Sequence, residues 1–159
     1  MKEFLLTQFF TVSKKPVLFR DLLQSVSLYD EKMLIDPSKL NFRFNYLKFY
    51  AFYALICLFF VFIFFVSTHA LLEKIDVHIS IILSVLVTSI VFVGFDFFKL
   101  YMRDLITQKL IKIAWDNHFP YFPYEKYHKK VIEIFEKSKD DEISKRDLEK
   151  YILDHLSKI

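Results

Sequence analysis

The chain has 159 residues, of which 54% are hydrophobic, 19% aromatic and 26% charged, and its formal net charge at pH 7 is +3. Because this charge is small and the basic residues are spread along the chain, the composition excludes the clustered basic surface of a nucleic-acid-binding protein. The chain contains a single glycine and four prolines, so it has few of the residues that favour tight turns. The composition therefore favours an almost entirely helical protein.

The N-terminal arm, residues 1–46, is predicted to be helical. Residues 3–12 favour a short surface helix, and residues 17–34 favour a second helix with one apolar side. Asp36 and Pro37 have the residue types of a helix N-cap and a first helical position. From there we expect one helix to continue without a break into the apolar segment that follows.

Two long uncharged runs, residues 49–72 and 77–95, lie close together in the chain. A bilayer core is about 30 Å thick and is spanned by about 20 apolar residues in a helix. Both runs reach this length, the second just barely. Since only the short connection at residues 73–76 separates them, the two helices must run antiparallel. The sequence therefore predicts an all-α membrane protein with a two-helix transmembrane hairpin at residues 47–101.

The charges that flank the hairpin predict its orientation. Basic residues precede the first run and follow the second, whereas Lys74 is the one basic residue in the connection. By the positive-inside rule, both termini face the side of protein synthesis. This side is the matrix for a mitochondrial inner membrane and the cytoplasm for a bacterial inner membrane.

Residues 102–123 are predicted to form an amphipathic extension of the second span followed by a proline-rich elbow. Apolar residues recur at helical spacing as far as Trp115, and the two prolines that follow forbid a continuous helix. We expect this elbow to be extended and to dock onto a neighbouring protein. The expected docking residues are Trp115, Pro120, Phe122, Pro123 and Tyr124.

The C-terminal arm, residues 124–159, is predicted to be a helix-loop-helix. Ser144 and Asp147 have the spacing of a capping box at the start of its last helix. Each helix has one apolar side, and two short helices are too small to bury these sides by themselves. We therefore expect the arm to pack against something else.

Small residues recur along the second span at a spacing that places them on one helix face. Such a stripe lets another helix, from the same chain or from a different one, approach closely. The predicted helix-packing interface consists of Ser80, Ser84, Thr88 and Gly94.

One carboxylate, Asp96, lies at the boundary of the second span, with Lys99 one turn away. We interpret these residues as a paired or snorkelling charge at headgroup depth. A proton or ion route is the alternative interpretation, since ionisable residues at membrane depth are often functional. The uncharged runs supply no second acidic residue for a relay.

The sequence predicts no metal, cofactor or catalytic site. His69 and His78 bracket the connection, but two ligands without a third are a poor metal site. Residues 136–147 have the outline of a calcium-binding EF-hand, yet they lack the turn glycine and the bidentate glutamate. We find no nucleophile elbow, phosphate-binding loop or acid–base pair.

Several short motifs occur in the order found in one family of membrane subunits. They are Asp36–Pro37 before the hairpin, Phe92–Gly94 near the end of the second span, the elbow HFPYFP at 118–123, and Glu133–Lys137 in the helix after it. In these features the chain resembles the two-helix accessory subunit "C-two" of mitochondrial NADH:ubiquinone oxidoreductase, respiratory complex I. The resemblance covers roughly 100 residues.

The resemblance implies a non-catalytic accessory subunit that helps to assemble and stabilise the membrane arm of the complex. Its partners would be other subunits and lipids, with no nucleic acid and no soluble substrate. The residues leave two other hypotheses open. One is a small bacterial inner-membrane protein that forms an oligomeric channel or transporter element with Asp96 near its pore, and the other is a calcium-sensing membrane adaptor that uses residues 136–147.

Overall fold

The computed structural model describes residues 2–72 and 77–158, and the side chains of residue 4 and of residues 6–67 and 79–158. The connection at residues 73–76 and the side chains of His69 and His78 lie outside the described residues, so the predictions that concern them stay predictions.

The described residues are mostly helical, as predicted, but they also include two short strands. The elements are α1 (Lys2–Phe9), β1 (Phe10–Val12), α2 (Phe19–Asp30), β2 (Phe42–Phe44), α3 (Tyr46–Leu72), α4 (Val77–His118), α5 (Tyr124–Asp140) and α6 (Leu148–Leu156). The strands β1 and β2 form a two-stranded sheet. The expectation of an all-α protein is therefore wrong at these strands, and the helix expected at residues 3–12 ends at Phe9.

The helix expected to run from Asp36 into the first span is also wrong. Asp36 accepts a hydrogen bond from the Ser38 backbone N–H at 2.9 Å, which is an Asx turn rather than a helix cap. Asn41 then adopts a left-handed conformation, with φ at 55°, which a helix does not tolerate. The helix α3 starts only after Asn45, whose side-chain oxygen accepts a hydrogen bond from the Lys48 backbone N–H at 3.4 Å.

The described chain divides into two compact units. The first, here called the hairpin unit, comprises Met1–Phe10 and Phe44–Asp104, and the second, the arm unit, comprises Thr11–Arg43 and Leu105–Ile159. The arm unit therefore combines residues from both predicted arms.

The hairpin unit contains α1, α3 and most of α4, joined by a cluster of aromatic rings. The ring centroids of Phe49 and Phe98 lie 4.9 Å apart, and those of Phe9 and Phe52 lie 5.0 Å apart. Further along α3, Tyr53 contacts the earlier residue Val91 through a hydrogen bond of 2.8 Å. Because the partner on α4 moves backward as α3 advances, the two helices are antiparallel, as predicted.

The arm unit contains α2, the end of α4, α5 and α6, and α5 packs against both α2 and α6. The apolar sides of these helices meet in a common core, so the partner expected for the C-terminal helix-loop-helix is α2 of the same chain. Ser144 and Asp147 do exchange hydrogen bonds, but in the turn before α6 rather than inside it. The core side chains of this interface are Leu22, Leu23, Val26, Val131, Ile134, Phe135, Ile152 and Leu156.

Candidate functional site: a groove between the two long helices

An open groove of about 760 Å³ lies between α3 and α4 in the hairpin unit. The α3 wall is made of aliphatic and phenylalanine side chains together with Cys57, and Tyr53 closes one end. The α4 wall contains every residue of the predicted helix-packing interface, namely Ser80, Ser84, Thr88 and Gly94. The small-residue stripe therefore faces the chain's own first span across this groove.

Gly94 lies where a tyrosine side chain of α3 reaches α4. A Cβ atom at this position would stand 2.7 Å from the hydroxyl oxygen of Tyr53, closer than real Cβ atoms come to their neighbours. The same hydroxyl donates a hydrogen bond of 2.8 Å to the carbonyl oxygen of Val91. The sole glycine of the chain is thus the residue that lets a tyrosine of α3 reach the backbone of α4.

The hydroxyl groups on the α4 wall are used within the helix. Ser84 donates to the Ile81 carbonyl at 2.8 Å, and Thr88 donates to the Ser84 carbonyl at 2.8 Å. Such bonds to the preceding turn satisfy a hydroxyl donor without a partner molecule. The groove therefore accepts apolar atoms without leaving these two donors unsatisfied.

The surfaces of α3 and α4 away from the groove are also apolar and exposed. Both helices contain segments long and apolar enough to cross a membrane, Tyr46–Ser67 and Ile79–His118. Only 6% of the most apolar window of the first segment and 0% of that of the second are buried within the chain. This distribution differs from that of the core helix of a soluble protein, whose apolar face is covered.

The boundary charges Asp96 and Lys99 lie on the part of α4 that packs beside the start of α3, here called the base of the hairpin. Neither of them lines the groove. Asp96 is exposed, and the described side chains give it no ion-pair partner. The ammonium group of Lys99 lies instead over the ring of Tyr46, 5.9 Å from its centroid. A cation over an aromatic face is a weak attraction at an exposed site.

The elbow after α4 is folded back rather than extended. Trp115 is fully buried, and its indole N–H donates a 2.6 Å hydrogen bond to the carbonyl oxygen of Phe122. Its ring packs on Phe119 at a centroid distance of 4.5 Å. Burial leaves Trp115 no surface for a partner, whereas Pro120 and Pro123 are exposed. The docking prediction stays a prediction for these exposed residues.

Tyr121, at the tip of the elbow, is 88% exposed, which makes it the most exposed large hydrophobic residue described. Nothing in the local sequence pattern distinguishes its ring from those of Phe122 and Tyr124, so its exposure could not be predicted. Phe122 and Tyr124 are both half-buried.

An ion pair joins the end of α4 to the start of α5 in the arm unit. The ammonium of Lys112 donates a 2.7 Å hydrogen bond to the carboxylate of Glu125, and this bond lowers the pKa of Glu125. Next to it, burial is the main cause that raises the pKa of the Tyr124 phenol to about 12, and the neighbouring Tyr29, Asp30 and Glu125 contribute to the same increase.

Within the described residues, no three His, Cys, Asp or Glu side chains stand together as metal ligands. In the EF-hand-like segment, two of the carboxylates are engaged by protein hydroxyl groups. Asp141 accepts a hydrogen bond from the Tyr151 hydroxyl at 2.8 Å, and Asp147 accepts one from Ser144 at 2.7 Å.

No known protein family, no curated protein and no solved structure matches this chain.

Proposed function

We propose that this chain is an integral membrane protein in which α3 and α4 form a transmembrane hairpin. The observation that carries the proposal is the exposure of the apolar windows in both helices, which are 6% and 0% buried. Soluble proteins rarely leave contiguous apolar patches larger than a few hundred Å² in water. In lipid the same surfaces are well solvated, and the helices satisfy their own backbone hydrogen bonds.

The base of the hairpin has the residue types of a membrane–water interface. Tyr46, Tyr50 and Tyr101 are exposed there, and Lys48 and Lys99 accompany them. Aromatic and basic residues anchor spans at headgroup depth. These anchors support a hairpin with both ends on one side, which the positive-inside rule assigns to the matrix or the cytoplasm.

Within the membrane, we propose that the chain acts as a non-catalytic accessory subunit of a larger complex. The groove offers an apolar surface with small side chains, and such surfaces favour close helix contacts in lipid. At the groove end near Gly94 the chain supplies its own contact through Tyr53. Ser84 lines the groove and is exposed, so a helix of a neighbouring subunit would have access to it.

The resemblance to the "C-two" subunit makes the membrane arm of mitochondrial respiratory complex I the proposed assembly. Two-dimensional native electrophoresis of mitochondrial membranes tests this assignment. We expect the tagged chain to migrate with NADH:ubiquinone oxidoreductase activity. Migration with a different complex would move the accessory role to that complex, and migration as a free homo-oligomer that conducts ions would contradict it.

The membrane assignment has its own test, independent of the complex. After alkaline carbonate extraction of membranes from expressing cells, we expect the full chain to remain in the pellet. Release of the chain into the supernatant, together with peripheral proteins, would contradict a transmembrane hairpin.

A further inference from the structure

The arm unit contains a pocket that the proposed hairpin function does not use. This pocket has a volume of about 300 Å³ and lies where the start of α2 meets the end of α5 and the α5–α6 turn. Three basic side chains line it, from Arg20, Lys139 and Lys145. The fold therefore brings residues from the two ends of the sequence to one cavity.

Two of these three cations lack a carboxylate partner. Within the described part of the chain, neither Arg20 nor Lys145 forms an ion pair or a side-chain hydrogen bond. Lys139 differs, because its ammonium group lies 2.7 Å from the Glu136 carboxylate and 4.5 Å from the centroid of the Phe135 ring. The pocket thus presents one guanidinium and one ammonium whose charge is uncompensated.

The nearby acidic side chains do not neutralise the pocket. Asp141 and Asp147 do not line it and are engaged by Tyr151 and Ser144. Among the described residues, Glu142 alone contributes a carboxylate to the lining. Since Lys139 is paired with Glu136, Arg20 and Lys145 stand against the single carboxylate of Glu142, and the cavity carries a net positive charge.

The rest of the lining fixes the shape of the cavity. Phe135 and Leu148 are buried side chains of the arm-unit core, and Ser138 is buried as well. The Ser138 hydroxyl donates to the Phe135 carbonyl at 2.6 Å, which fixes its position. These buried side chains bound the space in which an anion can be held.

We propose that this pocket binds a phosphate group. A guanidinium offers parallel N–H donors that match phosphate oxygens, and an ammonium adds a point charge beside it. The phosphate could belong to a lipid headgroup or to a soluble phosphate compound, and the chemistry at Arg20 and Lys145 is the same for both. The proposal does not depend on the hairpin function, because every residue involved lies in the arm unit.

The test uses the full chain in neutral detergent micelles. Inorganic phosphate is titrated by calorimetry, and retention of phosphatidic acid against phosphatidylcholine is measured by native mass spectrometry. We expect binding in at least one of these two measurements, and we expect added salt to weaken it because the contacts are charged. Binding of inorganic phosphate alone assigns a soluble ligand, and selective retention of phosphatidic acid alone assigns a lipid headgroup. If neither measurement detects binding, the proposal is overturned.

Three single variants decide whether the binding occurs in this pocket. Arg20→Gln should weaken it by about fivefold to tenfold, since a charge-assisted contact is lost. Glu142→Gln should tighten it by about twofold to fivefold, because the one opposing carboxylate is removed. Arg146→Gln is the matched control, since Arg146 is exposed close by but does not line the pocket. Equal weakening by Arg20→Gln and Arg146→Gln, or no tightening by Glu142→Gln, would overturn the assignment.

Discussion

The hydroxyl oxygen of Tyr53 on α3 lies 2.7 Å from the place where a Cβ atom at Gly94 on α4 would stand. The tyrosine uses the space that glycine leaves open to donate a hydrogen bond of 2.8 Å to the Val91 carbonyl. The only glycine of the chain therefore accommodates a contact between the two long helices, rather than a turn or a positive φ.

This relationship predicts that Gly94→Ala and Tyr53→Phe are coupled. Alanine should gain about 1 kcal/mol of helix propensity, but the clash with the hydroxyl should cost about 1–3 kcal/mol. We therefore expect Gly94→Ala to destabilise the wild-type hairpin slightly and to stabilise the Tyr53→Phe variant. Unfolding in mixed micelles, followed by far-ultraviolet circular dichroism, measures both effects.

Tyr50→Phe provides a matched background for this cycle. Tyr50 lies on the same helix and stacks on Phe95 at 4.8 Å, but a Cβ atom at Gly94 would not meet it. In this background Gly94→Ala should cost what it costs in the wild type. Equal effects of Gly94→Ala in all three backgrounds would contradict a specific contact with Tyr53.

The open part of the groove predicts a different outcome for Ser84→Leu. A leucine at this position extends into the groove, where the chain has room for it, so the hairpin itself should remain folded. The larger side chain would block a helix of a neighbouring subunit, and we expect less assembled complex on native gels. Ser89→Leu is the control, because Ser89 is exposed on α4 but does not line the groove. Unchanged assembly with Ser84→Leu would count against groove docking.

Trp115→Phe should destabilise the arm unit by about 2–3 kcal/mol. The change removes the 2.6 Å hydrogen bond to the Phe122 carbonyl and leaves a cavity around a fully buried side chain. Thermal unfolding followed by circular dichroism measures the loss. Tyr121→Phe, at the exposed tip of the elbow, should leave the midpoint unchanged. A neutral Trp115→Phe variant would show that the buried indole is not needed for the fold of the elbow.

The pKa of Tyr124 predicts a loss of stability in alkali. Its phenol ionises at an ordinary pKa of 10.0 in the unfolded chain, but burial raises the folded value to about 12. The contribution of the neutral phenol is fully present below pH 10 and is lost as the pH rises from 10 toward 12. Tyr124→Phe should reduce this loss, as measured by unfolding midpoints across that range. An identical alkaline profile in the variant would refute the buried environment of the phenol.

The sequence predicted the parts of the fold that depend on local pattern. The uncharged runs predicted the two long helices. Pro120 and Pro123 predicted the break between α4, which ends at His118, and α5, which begins at Tyr124. The positions of Ser80, Ser84 and Thr88 on one helix face also followed from their spacing. That this face meets α3 rather than the outside could not be inferred, because a helical period fixes a face but not its neighbour.

The errors arose where distant residues determine the backbone. The local pattern of residues 36–44 predicts the start of a helix. In the structure, however, the Asn41 carbonyl accepts a hydrogen bond from the distant Ser13 backbone N–H at 2.8 Å. The Asn41 side chain donates to the carbonyl of Pro16 at 3.3 Å. Contacts across more than 20 residues outweigh a local capping signal, and a single sequence does not reveal them. The packing of α2 against α5 was not predicted, for the same reason.

The central claim, that α3 and α4 lie in a bilayer, is tested most directly at Cys57, the only cysteine of the chain. Cys57 lines the groove on α3, and a thiol surrounded by lipid does not meet a water-soluble maleimide, because the bilayer core contains no water. The reference is a Cys57→Ser chain carrying Lys129→Cys on the exposed surface of α5. In membranes opened by freezing and thawing, we expect the reference cysteine to be labelled and Cys57 to stay unlabelled until detergent is added. Labelling of Cys57 as fast as the reference, with no detergent present, would contradict the transmembrane hairpin.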